Sequence, residues 1–225
     1  MSASLPERTL PDASVPADLE AARPRSLKGV RTRARLLAAA KEIFEENGFL
    51  DARISDIAER AGLSHGSFYH YFESKEQIFR EVAELVDEEL GAPLSVILAP
   101  ASSGMPPAER LHEAIRRHFE SYRDEARIMA VIEQVSRYDD HVHEMLLSRH
   151  RRYADQVSES IRKLQRRKLA DPHLDPLLAA TAISAMTTRF AELWLVDQAV
   201  DCNLDDAVSQ VVAMIVNMLR LQTAG

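Results

Sequence analysis

Aromatic residues crowd into one short stretch of the chain, Gly62 to Phe79 (GLSHGSFYHYFESKEQIF). Four aromatic side chains occupy the five positions from Phe68 to Phe72, although aromatic residues make up only 6% of the chain. A hydrophobic core needs its aromatic residues spread over several faces, so we predict that some of these four stay at the surface. An exposed tyrosine offers both a ring and a hydroxyl, which suits contact with nucleic-acid phosphates.

A second run of residues that could do chemistry extends from Asp139 to Glu144 and contains two histidines. On a helix, His141 and His143 lie on different faces, whereas useful ligand pairs are three or four residues apart, as Asp140 is from His143. Acidic residues at a helix N-terminus are stabilised by the helix dipole, which accounts for the run without a metal. We therefore predict no metal site and no cofactor, with a metal-responsive protein kept as an alternative.

Catalytic chemistry is not indicated by the rest of the sequence. There is no glycine-rich phosphate loop, and the one cysteine, Cys202, lies in an Asp-Cys-Asn segment without an obvious base. A single cysteine excludes an intramolecular disulfide and fits a reducing cytoplasm. No apolar run is long enough to span a bilayer. The sequence thus predicts a cytoplasmic protein that is not an enzyme and does not enter a membrane.

The helices around the aromatic run must position it. Apolar residues at helical spacing predict a helix over about residues 30–47 and a short one over about 54–61. Gly62 then breaks the pattern, Ser64 is a good N-cap for a third helix, and Ser74-Lys75-Glu76-Gln77 matches the capping box of a fourth. A short helix, a glycine-containing turn and a second helix form the layout of a helix-turn-helix unit, whose second helix enters the major groove.

Helical spacing divides the aromatic run between two roles. Phe68 and Phe72 are four residues apart and share a face, so we expect both in the core. Tyr69 and Tyr71 lie off that face and are predicted to contact DNA. The small residue Gly66 lets the helix backbone come close to base edges.

The segment DIAERAGLSHGSFYHYFESKEQIF, Asp56 to Phe79, closely resembles the DNA-binding signature of the TetR family of bacterial transcriptional regulators. The preceding ARLLAAAKEIFEENGF, Ala34 to Phe49, resembles the first helix of that family. The resemblance is strong over about residues 30–80 and otherwise extends only to the number and length of the helices. It implies that the following residues face bases or the DNA backbone: Ser64, His65, Gly66 and Ser67. It implies phosphate contacts mainly from Tyr69, His70, Tyr71 and Lys75.

Two arginines complete the predicted DNA-binding set. Arg33 belongs to a run from Arg23 to Lys41 with seven basic residues and no acidic one, in a chain whose net charge is −7. A solvated helix face is the plain alternative for this run. Arg53 stands where the family usually has a capping Ser or Thr. The cap bond is lost at a cost of about 1 kcal/mol, and we predict that Arg53 contacts a phosphate instead.

The chain is predicted to be all-α and to have three parts. Residues 1–27 are rich in proline, lack periodicity and are predicted to form a disordered basic arm. Residues 28–90 form a helix-turn-helix DNA-binding domain of three helices together with the fourth helix. Residues 91–225 form a helical domain for ligand binding and dimerisation. The fourth helix joins the two domains and is predicted to be the only long element able to carry a shift between them, through an apolar face that includes Ile78, Phe79, Val82 and Leu85.

Two helices near the C-terminus, over about residues 176–200 and 203–221, are predicted to form the dimer interface. The family resemblance implies that these helices build a four-helix interface between two subunits. Small residues such as Ala182 and Ala185 in the first helix permit close approach. The second helix supplies apolar area from Val208, Val211, Val212, Ile215, Val216 and Leu219. Packing inside one chain is the alternative for these residues.

The C-terminal domain is predicted to hold the ligand. The candidate lining combines aromatic residues, adaptable methionines and one arginine: Phe119, Tyr122, Met129, Ile132, Met145, Met186, Arg189, Phe190 and Trp194. Plain packing is the alternative for most of them, and an ion pair with Glu133 or Glu192 is the alternative for Arg189. Nearly complete release from DNA requires about 5.5 kcal/mol of differential affinity, which favours a hydrophobic or amphipathic effector such as a fatty-acid-like molecule or an acyl thioester.

Together these patterns predict a ligand-responsive repressor that binds a palindromic operator in double-stranded DNA as a homodimer. The alternatives are a DNA-binding dimer without an inducer and a metal-responsive repressor. A cavity of several hundred Å³ in the C-terminal domain, as typical ligand pockets have, would favour the ligand-responsive form.

Overall fold

Helices make up all the regular secondary structure in residues 27–91 and 105–221, the part of the chain that the computed structural model describes. The N-terminal domain contains α1 (Leu27–Asp51), α2 (Ile54–Arg60), α3 (His65–Phe68) and α4 (Lys75–Gly91). The C-terminal domain contains α5 (Pro107–Asp124), α6 (Ala126–Val135), α7 (Asp140–Arg166), α8 (Pro176–Ala191) and α9 (Leu204–Leu219), with a π-helical turn (Glu192–Val196) after α8. The all-α prediction is confirmed. Residues 1–26 of the predicted arm lie outside the described residues.

Polar side chains begin several of these helices where the sequence predicts them. Ser64 Oγ accepts a hydrogen bond from the backbone N–H of Ser67 at the start of α3. Ser74 Oγ accepts one from Gln77 at the start of α4. Caps of the same kind are formed by Asp139, Asp175 and Asn203. At α2 the cap position is Arg53 and no side-chain hydrogen bond forms there, as the sequence predicts.

Two glycines take backbone conformations that other residues rarely adopt. Gly48, with φ 69° and ψ 177°, interrupts α1 before its last turn, in a region of backbone space that is almost restricted to glycine. Gly62, with φ 65°, ends α2, and the next residue, Leu63, donates to the carbonyl of Ala58 at 2.9 Å. These bends direct the chain into α3, so the local sequence positions the helix that carries the aromatic run.

The core of the N-terminal domain is built from phenylalanines. The rings of Phe44, Phe49 and Phe79 join α1 to α4, with Phe79 centred 5.0 Å from Phe44 and 4.9 Å from Phe49. Phe68 and Phe72 are both buried, which confirms that these two rings of the aromatic run belong to the core. Each such side chain contributes about 1.5–3 kcal/mol by leaving water, so α3 is held firmly in place despite its single turn.

The fourth helix packs against both domains, as predicted, but not with all the predicted residues. Ile78, Phe79 and Val82 are buried, whereas Leu85 is 45% exposed. Val86 is buried in its place. The reason is that α4 packs first on α1 and then on α5 and α7, so different sides of the helix are buried along its length.

A second helix also joins the two domains. α1 packs on α6 as well as on α4, and Lys41 of α1 lies 2.6 Å from the carboxylate of Glu125, at the start of α6. The prediction that α4 alone could carry a shift between the domains is therefore wrong. The apolar stripe of α1 identified a buried face without identifying the elements that cover it.

The C-terminal domain consists of two packed pairs, α7 with α8 and α5 with α9. The apolar residues of α9 that were predicted to form a dimer interface, including Val208, Val211 and Ile215, are instead buried inside one chain. The prediction is wrong for these residues, because α9 uses its apolar stripe to cover α5. A dimer contact through other residues of α8 and α9 stays a prediction. The exposed face of α8 includes Leu178, Ala182 and Ala185, and that of α9 includes Ser209, Gln210, Ala213, Met214 and Asn217.

Candidate DNA-binding surface and effector cavity

The predicted DNA-contacting residues around α3 form an exposed surface, which we call the recognition surface: Ser64, His65, Gly66, Ser67, Tyr69 and His70. Ser67 is half-buried and the other five are exposed, with Tyr69 51% accessible. The rings of His65 and Tyr69 lie edge to face at 5.4 Å. A β-carbon added at Gly66 would meet no other atom of the chain within 4 Å. The fold does not require glycine there, in keeping with a backbone that approaches DNA.

Tyr71 differs from the other residues of this set. The regular part of α3 ends at Phe68, and the chain continues in turns in which Tyr71 donates its backbone N–H to Phe68. The ring of Tyr71 is consequently half-buried against the core. A DNA contact from its hydroxyl stays a prediction, but the ring itself packs against the core of the domain.

The predicted arginines are placed in two different ways. The guanidinium of Arg33 forms an ion pair with Glu81 of α4 and lies 4.9 Å from the centre of the Phe72 ring. It therefore connects α1 to α4. The carbonyl of Arg53 accepts hydrogen bonds from Asp56 and Ile57, but its exposed side chain has no hydrogen bond or ion pair among the described residues. The predicted phosphate contact therefore meets no competing partner of the guanidinium there.

Lys75 has a structural role that sequence reasoning missed. Its ammonium donates to the carbonyls of Phe49 at 2.7 Å, Leu50 at 3.1 Å and Ala52 at 2.9 Å. It also lies 4.7 Å from the centre of the Phe49 ring. An ammonium has three donors, and all three are used to satisfy carbonyls after the break at Gly48. A phosphate contact from Lys75 stays a prediction and would require it to leave one of these carbonyls.

Tyr69→Phe is expected to weaken operator binding about fivefold, because it removes one hydroxyl that can donate to a phosphate, worth about 1 kcal/mol, and leaves the ring. The loss should be similar for all DNA sequences, because phosphates carry no base information. Fluorescence anisotropy at matched salt measures it. Tyr138→Phe is the control, since Tyr138 is also exposed but belongs to the C-terminal domain. Unchanged affinity of the Tyr69 variant would remove this residue from the interface.

Most of the predicted ligand-binding residues are packed against one another. Phe119, Tyr122, Met129 and Ile132 are buried, and Met145, Met186, Phe190 and Trp194 are half-buried. The ring of Phe119 lies 5.7 Å from those of both Phe190 and Trp194. The indole of Trp194 donates to the carbonyl of Cys202 at 3.0 Å. These contacts match the packing alternative, and a role of these residues in ligand binding stays a prediction.

Arg189 does not point into the domain. Its side chain is exposed and forms an ion pair with Glu192 at 2.5 Å and a longer one with Asp197 at 3.6 Å. The alternative of an ion pair with Glu192 thus describes its state, although this pair lies at the surface. Arg189 follows the apolar part of α8, which made a buried position plausible, but its side chain extends to the outer side of the helix.

A small polar cavity of about 30 Å³ lies beside Tyr122. Its polar lining comes from α5, α7 and α8 and consists of His118, Tyr122, Arg149, His150, Tyr153, Ser184, Thr187 and Thr188. Apart from Tyr122, sequence reasoning missed all of these. The available signal was the pair His118 and Tyr122, four residues apart on the face of α5 that also carries buried Ala114 and Ile115.

Two of the polar side chains in this cavity lack partners, whereas others, such as Thr187, are hydrogen-bonded. Both ring nitrogens of His118 and the hydroxyl of Tyr122 are inaccessible to solvent and form no hydrogen bond in the structure. Burial, helped by the charge of Arg149, lowers the pKa of His118 to about 4, so this imidazole is neutral at pH 7. Burial raises the pKa of Tyr122 and raises that of Tyr153 to about 12. Buried polar groups are nearly always paired, and leaving one unpaired costs about 1–3 kcal/mol.

Ion pairs connect α4 to α7 beside this cavity. Arg80 donates to Asp139 at 2.8 and 3.1 Å, and Glu84 lies 3.2 Å from His141. Asp87 lies 2.6 Å from Arg152 and 3.4 Å from Arg149. In the described part of the chain, no group of three or more His, Cys, Asp or Glu side chains is placed to hold a metal ion.

Two family models match the chain, one for each domain. Residues 36–82 match the model of bacterial regulatory proteins of the tetR family, and residues 104–195 match the tetracyclin repressor-like C-terminal domain. The chain belongs to the TetR family. This confirms the resemblance predicted from the aromatic run, and places the protein among transcriptional regulators with a helix-turn-helix domain rather than among enzymes.

Relatives from several bacteria resemble parts of this TetR-family chain. An uncharacterised HTH-type transcriptional regulator of Bacillus subtilis, YdgC, is 53% identical over 55 residues, which are 24% of this chain and 28% of the relative. The HTH-type transcriptional repressor KstR2 of Mycolicibacterium smegmatis is 33% identical over 112 residues, 45% of this chain and 53% of the relative. The matches span less than two thirds of the length of either relative.

Solved structures of the family share the fold over most of the chain. Salmonella enterica GusR superposes with a TM-score of 0.69 and 19% identity, covering 87% of this chain and 99% of GusR. The fatty acid degradation regulator FadR from Bacillus halodurans gives a TM-score of 0.67 and 20% identity, covering 85% of this chain and 97% of FadR. In residues 27–91 and 105–221 of this chain, no helix has the length and apolar character needed to cross a membrane.

Proposed function

We propose that this TetR-family protein is a repressor that acts in the cytoplasm, binds a palindromic operator as a homodimer and is released by a hydrophobic or amphipathic small molecule. The observation that carries the proposal is the recognition surface, which stays exposed while the residues behind it, such as Phe68, Phe72 and Lys75, are fixed by the core and by backbone carbonyls. The domain presents a rigid polar surface that the other described residues leave exposed.

The exposed faces of α8 and α9 support dimerisation. Small or medium-sized side chains such as Ala182 and Ala185 on α8 and Ala213 and Met214 on α9 are exposed in the single chain. Small residues let helices approach closely, and a second copy of the same faces would bury them in a four-helix contact. Two copies would place two recognition surfaces on one face of DNA, with half-sites about 34–36 Å apart or a multiple of that distance.

Release by a ligand would act through α4. This helix begins behind the recognition surface at Lys75 and is tied to α7 by Arg80, Glu84 and Asp87. A tilt of α4 could move the two recognition surfaces apart by a few ångströms without unfolding either domain. Two similar proteins, the repressor KstR2 and the fatty acid degradation regulator FadR, support repression and an apolar effector.

A constitutive DNA-binding dimer is the second candidate, and the small size of the cavity favours it. A volume of about 30 Å³ is far below the several hundred Å³ of typical ligand pockets, and the larger spaces of the domain, about 840 Å³ between α4 and α7 and about 720 Å³ along α7 and α8, are open grooves. An effector that is enclosed in the domain therefore requires side chains to move apart when it binds.

The two candidates are separated by operator selection followed by titration. Selection from random DNA is expected to yield a palindrome. A thermal-shift screen then provides a ligand, which is titrated by calorimetry with and without that operator. For an inducer, operator DNA must weaken ligand binding by the same factor by which the ligand weakens DNA binding. Equal ligand affinity in the two titrations would favour the constitutive dimer, and failure to select any DNA would overturn the proposal.

A further inference from the structure

Arg149 of α7 separates two spaces in the C-terminal domain. It lines the polar cavity beside His118 and Tyr122, and it also lines an open groove of about 840 Å³ between α4 and α7. Tyr153, one turn further along α7, lines both spaces as well. The side chain of Arg149 is only 13% exposed. Arg149 and Tyr153 are thus the residues that the groove and the cavity share.

Around Arg149, positively charged groups outnumber the negatively charged ones that pair with them. Asp87 of α4 is buried and is approached by two guanidinium groups, Arg152 at 2.6 Å and Arg149 at 3.4 Å. Arg152 forms a hydrogen bond with Asp87. The Nε atom of Arg149 approaches the same carboxylate at a longer distance, and this is the one contact of Arg149 with a carboxylate among the described residues. Two positive groups thus share one negative group, and a nearly buried guanidinium is left weakly paired, which is unfavourable without a further partner.

The buried donors His118 and Tyr122 have no hydrogen-bond acceptor in reach, although hydroxyl side chains also line the cavity. The hydroxyl of Tyr122 and one ring nitrogen of neutral His118 are donors, and both are buried without partners. Arg149 contributes further donors at the same place. Three acidic residues, Glu133, Glu192 and Asp197, act on Tyr122. Burial, helped by the charge of Glu192, raises the pKa of the Glu133 carboxyl, so this carboxyl is easier to protonate when a further anion arrives. A compact anion with two acceptor oxygens would complement this set.

We propose that the effector is an organic carboxylate whose head group binds in this cavity to Arg149, Tyr122 and His118, with its body in the groove between α4 and α7. This inference rests on the proposed function and deepens it. The bound carboxylate takes Arg149 away from Asp87, while Asp87 keeps Arg152. Binding of the effector therefore changes one of the ion pairs that attach α4 to α7 and leaves the buried aspartate neutralised.

The test compares acids with amides of nearly the same shape on the full chain. Octanoate, benzoate and phenylacetate are titrated by calorimetry beside octanamide, benzamide and phenylacetamide. At least one acid is expected to bind, and at least about 30-fold more tightly than its amide, because the amide leaves a buried charged donor unpaired. The selected operator is expected to weaken binding of that acid to the protein. The amide is expected not to release the protein from the operator.

Variants on both sides of the ion pair have opposite expected effects. Arg149→Gln should abolish the preference for the acid, whereas Arg151→Gln should keep it, because Arg151 is exposed on the same helix and pairs with Glu144. Asp87→Asn should strengthen binding of the acid by about tenfold, because it removes the competing carboxylate. A gain in affinity cannot come from simple damage to the fold, so Asp87→Asn decides the matter even if Arg149→Gln is unstable.

Three results would overturn the carboxylate assignment. They are equal affinities for acid and amide, no binding of any of the three acids at millimolar concentration, and weaker acid binding by the Asp87→Asn variant. None of these results affects the selection of an operator or the self-association of the chain, on which the proposed function depends.

Discussion

Ile215→Asp is expected to unfold the chain rather than to separate two subunits. Ile215 is 1% exposed and packs in the single chain, on the face of α9 that covers α5. A carboxylate at this position would be buried without a partner, which costs about 3–5 kcal/mol and is a large part of the total stability of a typical domain. Circular dichroism and thermal unfolding should show a loss of helix at temperatures where the wild-type chain is folded.

The neighbouring residue provides the matched control. Met214 is 47% exposed on the same helix, so Met214→Asp should keep the helical spectrum of the wild type. If the exposed faces of α8 and α9 form the dimer contact, this variant should instead shift sedimentation toward a monomer and weaken operator binding. A folded monomer from Ile215→Asp would contradict the assignment of Ile215 to the core. Unchanged self-association of Met214→Asp would place the interface elsewhere.

Lys75→Met is expected to lower the free energy of unfolding by roughly 3 kcal/mol, because three charge-assisted hydrogen bonds to the end of α1 disappear and their carbonyls lose a partner. For a chain of this size the loss corresponds to a fall in melting temperature of roughly 10 °C. The effect should be present without DNA, and differential scanning calorimetry of the free protein measures it.

The phosphate contact predicted for the same lysine has a different signature. If Lys75 acted mainly on DNA, its variant would keep the melting temperature and lower the salt-dependence slope of operator binding by about 0.9. Lys28→Met is the control for the loss of a positive charge, since Lys28 is exposed in the first turn of α1. An unchanged melting temperature for Lys75→Met would contradict the structural role.

Local physical chemistry explains the parts of the fold that could be predicted from the sequence. An N-cap needs only a short polar side chain and the next three residues, so Ser64 and Ser74 could be assigned without tertiary information. The break inside α1 needs a conformation that glycine alone adopts readily, which Gly48 supplies. The division of Phe68 and Phe72 from Tyr69 follows from their spacing, although α3 is shorter than predicted.

The tertiary structure decided which partner each predicted face meets. A stripe of apolar residues shows that a helix face is buried, but the pattern is the same whether the cover is α5 of the same chain, as for Val208 and Ile215, or a second subunit. Charged side chains are harder still, because long flexible stems reach partners far along the chain. Arg189 was expected to face a ligand and meets Glu192 at the surface, whereas Arg149, which no pattern identified, lies beside the buried cavity. The residues around Arg149 come from α4, α5 and α8. Only folding brings these helices together, and a single sequence does not reveal which helices become neighbours.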